Sequence, residues 1–150
     1  AIALTPDEPL AYFNLGAALS NSVHPVEAAQ RFLEAKERYP VGSENWAQAT
    51  AWAFEKLLQE ECGEVAKPDW WTDEGLKALS ARVVRAAPDF GAANSMRAAV
   101  LGMGACPRSL AELKEAAVMY ERAAAMIPAP ALKADYTRAA DWCRSRAEAM

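Results

Sequence analysis

The sequence predicts an all-α protein, an α-solenoid of about seven helices whose helical hairpins stack as a right-handed superhelix, and three observations predict the helical hairpins. First, apolar residues make up 53% of the 150, and 35 of the 150 are alanine, so the apolar content comes from a small helix former and not from β-branched strand formers. Second, a small residue stands five places before a proline four times, at Ala1 and Pro6, Ala35 and Pro40, Val83 and Pro88, and Ala123 and Pro128. Proline has no N–H and drives its predecessor out of the α region, so each of these prolines closes a helix. Third, apolar residues between the prolines recur at helical spacing, as at Tyr12, Leu15, Gly16 and Leu19.

The prolines lie 34, 48 and 40 residues apart, which reads as one unexpanded unit and two with insertions. Helices are expected over Pro9–Asn21 and Pro25–Tyr39, with Asn21, Ser22, His24 and Pro25 breaking the chain between them. In this first unit, 9–42, Gly16 and Ala28 would let two antiparallel backbones approach while Tyr12, Leu15, Leu19 and Phe32 fill the space beside them. A lengthened helix, Ser43–Glu61, opens the second unit, 43–90, which carries an insertion at 60–73 and continues with a helix over Thr72–Ala87. The third unit, 91–130, pairs helices over Phe90–Met103 and Ser109–Ile127. Leu132, Tyr136, Ala139 and Cys143 then form the apolar stripe of a final helix, Ala131–Ala149. The whole is expected to be a single domain, 1–150, with residues 1–6 as the tail of a repeat lying upstream in a longer array.

Tyr12, Leu15, Gly16, Leu19, Ala28, Phe32, Ala35 and Pro40, in that order and spacing, resemble the tetratricopeptide repeat signature. Ala116, Tyr120, Ala123 and Pro128 repeat its second half, while Trp46 stands where Tyr12 does but Ala49 and Thr50 replace Leu15 and Gly16. Aligning the third unit by its length puts Arg97 where Leu15 stands. The terminal helix resembles the capping helix of the family. The resemblance implies a scaffold whose first helices line a groove for partner proteins. Carried over by spacing, its lining would be Leu10, Phe13, Asn14 and Ala17, then Gln48, Ala51 and Phe54, then Ser95, Met96, Ala99 and Met103. Members that bind acidic chaperone tails resemble one another in a clamp of Lys, Asn and Arg. Phe13, Ala17, Gln48, Ala92 and Met96 stand at those places here and offer a carboxylate almost no donors. An apolar peptide or helix suits such a surface.

Chemistry-bearing patterns are sparse. The net charge of −4 gives no basic surface for nucleic acid. RNA binding through Arg97 or Arg108 is therefore not expected, and no apolar run reaches the roughly 18 residues of a membrane span. Cys62, Cys106 and Cys143 match no metal or redox spacing and read as free thiols of a reducing compartment. His24, the only histidine, sits in a turn with no catalytic neighbour evident in the sequence, and Gly102, Met103 and Gly104 are a helix end and not a phosphate loop. No catalytic residue, metal or cofactor is expected. The sharper feature is the stretch from Glu55 to Glu74, whose net charge of −5 surrounds Trp70 and Trp71; with Asp69 and Asp73 these tryptophans form a candidate contact with a partner protein. The alternative is that the tryptophans fold back over the preceding helix. The function expected is non-catalytic protein binding as a scaffold, the alternative a permanent structural subunit or segment of a large assembly.

Overall fold

The computed structural model describes residues 8–102 and 108–150, and these are all-α. Among them seven α-helices run in the order α1 Pro9–Asn21, α2 Pro25–Arg38, α3 Glu44–Leu57, α4 Asp73–Ala86, α5 Gly91–Gly102, α6 Leu110–Met126 and α7 Pro130–Glu148, with one 3-10 turn at Glu60–Cys62. Residues 1–6, expected as the tail of an upstream repeat, and Met103 and Cys106 lie outside the described residues. The expected helix ends agree with the observed ones to within a residue or two, except that of α3. Its helix stops at Leu57, four residues before Glu61, and the chain passes into the 3-10 turn.

The boundaries have local causes. Pro9, Pro25 and Pro130 each open a helix at its first turn, where the missing N–H costs nothing. The hydroxyls of Ser43, Thr72 and Ser109 accept from the backbone N–H groups of Trp46, Gly75 and Glu112 and so cap α3, α4 and α6. Between α2 and α3, Ser43 N donates to Pro40 O at 3.0 Å around Gly42, whose φ of +86° is the left-handed value that this turn demands. The α1–α2 turn is different. Ser22 closes α1, Val23 N donates to Ser20 O, and His24 N donates to Leu19 O, a Schellman ending whose left-handed position, at φ +60°, is filled by Val23.

The chain divides into two compact units, Ala1–Pro68 and Asp69–Met150, and the division falls inside the insertion expected at 60–73. In the first unit α2 packs against both α1 and α3, and the 3-10 turn rests on α2. Ala28, Phe32 and Ala53 are buried there, with Phe13, Ala17, Leu19, Leu33 and Trp52 packed around them. Gly16 makes the α1–α2 approach possible, since a Cβ there would stand 2.9 Å from Cδ1 of the Phe32 ring.

In the second unit α4 packs on α5, α5 on α6 and α6 on α7. Its core is Ala98, Leu101, Ala116, Ala117, Met119, Tyr120, Ala140 and Cys143. Gly102 lets α5 approach its neighbours: a Cβ on it would meet Cys143 Sγ of α7 at 3.0 Å and Ala116 Cβ of α6 at 3.2 Å, while Tyr120 Cε2 stands at 3.6 Å, an ordinary contact distance. The length-based register put Ala98 opposite Gly16. The packing instead brings Gly102, one helical turn further along, into close approach to α6 at Ala116. Arg97, which that register placed at an apolar position, ties three helices. It donates to Lys77 O at 2.8 Å and Ser80 Oγ at 3.0 Å on α4, and pairs with Glu115 on α6 at 2.9 Å.

Candidate functional site

The outer stripe of α1 carries Leu10, Phe13, Asn14 and Ala17, four of the expected groove residues, on one side of the helix. Leu10 and Asn14 are exposed, Phe13 and Ala17 half-buried. Continuing the same helical spacing reaches Ser20 and Asn21. Phe13, Ala17, Ser20 and Asn21, with Phe32 from α2 and Trp52 from α3, line a cleft of about 160 Å³ in the first unit. Its aromatic walls are ordered by contact. Phe13 meets Phe32 edge-on with ring centroids 5.4 Å apart, and Phe32 stacks on Trp52 at 6.5 Å. The cleft is apolar within and uncharged at its lip, where Ser20 and Asn21 supply a hydroxyl and an amide. An apolar cavity of ~150 Å³ holds a molecule the size of benzene, so the cleft matches one large side chain.

The other described groove residues go elsewhere. Gln48 is half-buried on α3, while Ala51, Phe54 and Met96 are buried, so they present no open lining. The carry-over by spacing placed Ala51, Phe54 and Met96 on a surface; their apolar side chains are instead covered. Ser95 and Ala99 are half-buried on α5. The sequence reading missed Ser20, Asn21, Phe32 and Trp52 as cleft residues. The signal was present for the first two, as the next members of the series that begins at Phe13 and Ala17.

In the insertion, Asp69 is exposed and the half-buried Trp70 and Trp71 pair with ring centroids 5.7 Å apart. Their placement depends on Gly75, because a Cβ there would lie 2.4 Å from the Trp70 carbonyl oxygen. Asp73 stands apart from this loop surface. It is the first residue of α4, and its carboxylate binds Arg108 Nη2 at 2.6 Å and Lys77 Nζ at 3.2 Å, while Lys77 also binds Glu112 at 2.5 Å. The hydrogen bond from Arg108 holds the Asp73 carboxyl below its ordinary range. Glu112, bound by Lys77 and by the Ser109 backbone, is lowered to about 2. Arg108 is buried, and this four-residue lattice fastens the start of α6 to the start of α4.

Catalytic groupings are thin. Ser22 Oγ lies 3.1 Å from His24 Nδ1, a neighbour the sequence reading did not recognise. Both residues are exposed, and the Ser22 hydroxyl also lies 3.1 Å from the Ala18 carbonyl at the end of α1, so its place is in the helix ending. Cys62 and Cys143 are free and buried, and burial pushes both thiols above their ordinary range. Among the described residues no three His, Cys, Asp or Glu side chains gather to hold a metal ion, and no helix is long and apolar enough to cross a membrane. In comparisons with protein-family models, curated proteins and solved structures, nothing matches the chain.

Proposed function

We propose that this chain is a non-catalytic protein-interaction module of tetratricopeptide-repeat type, in which helical hairpins stack as a solenoid and a partner's apolar side chain enters the Phe13–Phe32–Trp52 cleft. The observation that carries the reading is the cleft itself: three aromatic rings around a space for one side chain, with Ser20 and Asn21 at the lip. A peptide lying along α1 would place its anchor among the rings and its backbone amides beside Asn21, whose side chain offers both a donor and an acceptor. The absence of charge at the lip favours an uncharged apolar segment over an acidic tail. The close helix approaches at Gly16, to Phe32, and at Gly102, to Ala116, support a repeated hairpin, and the Trp70–Trp71 pair beside Asp69 supplies a second contact surface in this reading.

The test is selection of random dodecapeptides displayed on phage against the whole chain, followed by affinity measurement of the enriched synthetic peptides. The expected result is a family sharing one large apolar residue, whose binding falls at least about tenfold when Ala17→Met fills the cleft and less when Asn21→Ala trims its lip. Enriched peptides that bind Ala17→Met as well as they bind the parent would place recognition elsewhere, and no enrichment at all would remove the module reading.

A further inference from the structure

The second unit carries an apolar depression that the cleft of the first unit does not explain. It lies between α6 and α7, has a volume of about 510 Å³, and is lined by Leu110, Lys114, Ala117, Val118, Arg144, Ala147 and Glu148. Its floor is two small buried residues facing each other across the helix pair, Ala117 and Ala147. Leu110 and Val118 rise from the α6 side and are each 43% exposed, a large exposure for apolar side chains about two helical turns apart on one face. The depression therefore holds both a hole, where alanines leave room, and two knobs of the size that fills such holes.

The rim is divided in the same way. Arg144 is committed to Glu121 and Asp141, an ion-paired cluster toward one end of the groove. Lys114, on the α6 wall, and Glu148, on the α7 wall, make no ion pair among the described residues. One unpaired cation and one unpaired anion thus flank the same apolar floor, on opposite walls. A surface that carries a knob with its hole, and a cation with its anion, is complementary to itself, which is the requirement of a two-fold contact in which each feature of one copy meets the other feature of its mate.

We infer that the α6–α7 groove is a self-association surface, which pairs with the same groove of a second copy of this chain, Leu110 and Val118 of each entering over Ala117 and Ala147 of the other, with Lys114 facing the other copy's Glu148. The apolar contact supplies affinity and the two equivalent charge pairs fix register, since sliding the helices brings Lys114 toward Arg144. A heterologous helix of another protein would need only the hole; the adjoining knobs and the balanced rim favour the identical partner.

The experiment is sedimentation equilibrium on the full chain with five variants. The parent is expected to be a monomer–dimer system. Val118→Asp, at an exposed position where the monomer fold tolerates a polar residue, should raise the dissociation constant at least about tenfold, with the helical circular dichroism unchanged. Lys114→Glu and Glu148→Lys should each weaken the dimer, and the double variant Lys114→Glu with Glu148→Lys should restore it, because exchange of both signs recreates the pair. Trp52→Ala, which alters the cleft of the first unit, should leave the association constant unchanged, so failure of this proposal and failure of the peptide-binding reading are separable. A parent that stays monomeric up to about 1 mM, a dimer indifferent to Val118→Asp, or a double variant no tighter than its singles overturns the inference.

Discussion

Val23 occupies a backbone conformation that a β-branched side chain rarely adopts. At φ +60° its Cβ crowds the neighbouring backbone, at a cost of about 1–2 kcal/mol relative to a residue free of that clash, and glycine is the usual occupant of the position. No burial offsets this, because the side chain is 79% exposed. Val23→Gly should therefore raise stability by about 1 kcal/mol, read as a higher urea midpoint at unchanged slope, and a lowered midpoint would mean that the valine makes a compensating contact. The converse holds at Gly16, where there is no room. A valine there would drive its Cβ into the Phe32 ring, which stands 2.9 Å from the ideal Cβ position, so Gly16→Val should cost about 1–3 kcal/mol by overpacking. The same variant displaces a wall of the aromatic cleft, and peptide binding should fall with it. A Gly16→Val chain as stable as the parent would show that the α1–α2 packing yields more easily than its geometry implies.

At the level of elements, proline punctuation and apolar spacing made the helices legible, because both act through the backbone within one or two turns. The end of α3 was not legible: nothing in Leu57 to Glu61 forbids helix, and the chain leaves it for a 3-10 turn that buries Cys62. The register of the third unit was hidden by counting residues between prolines, which assigns every insertion to the loop. Gly102 was the better marker, since a glycine leaves room where neighbouring helices close on a backbone, here at Cys143 Sγ and Ala116 Cβ. Three of the eleven candidate groove residues failed for a related reason. Ala51, Phe54 and Met96 were placed by position number, whereas burial follows what an apolar side chain can pack against.

The attachment of α6 to α4 is an element-level property that no local pattern announced, as Asp73 and Arg108 are 35 residues apart. It carries an acid signature. Glu112 and Asp73 have folded-state pKa values lowered by their cationic partners, Glu112 to about 2, so the stabilisation is fully present above the ordinary carboxylate range and is lost as the pH falls through the folded value. The window runs from about pH 4.5 down to about pH 2. Both carboxylates are partly solvated, which makes the effect modest. The melting temperature of the parent should fall more steeply across this window than that of Glu112→Gln; parallel curves would remove Glu112 from the lattice.

On the scale of the whole molecule, the division at Pro68 and Asp69 says that the cores of the two units are each made within their own stretch of chain. The core of the second unit joins α5, α6 and α7 through Leu101, Tyr120, Cys143 and the alanines between them, and α4 is held to it by Arg97 and by the Asp73–Arg108 pair. Each of these contacts survives if the chain is opened upstream of Asp69. The exposed stretch Gly63–Glu64 offers the opening, since neither residue is buried and the 3-10 turn has ended at Cys62. A glutamate-specific protease should cut first after Glu64, as mass spectrometry of the early products would show, because local opening is cheapest where few buried contacts resist it. The fragment from residue 65 onward should then keep its helical circular dichroism and melt in a single cooperative transition. If that fragment loses cooperativity, the second unit borrows its stability from the first, and the boundary at Asp69 marks only a thinning of contacts within one folding unit.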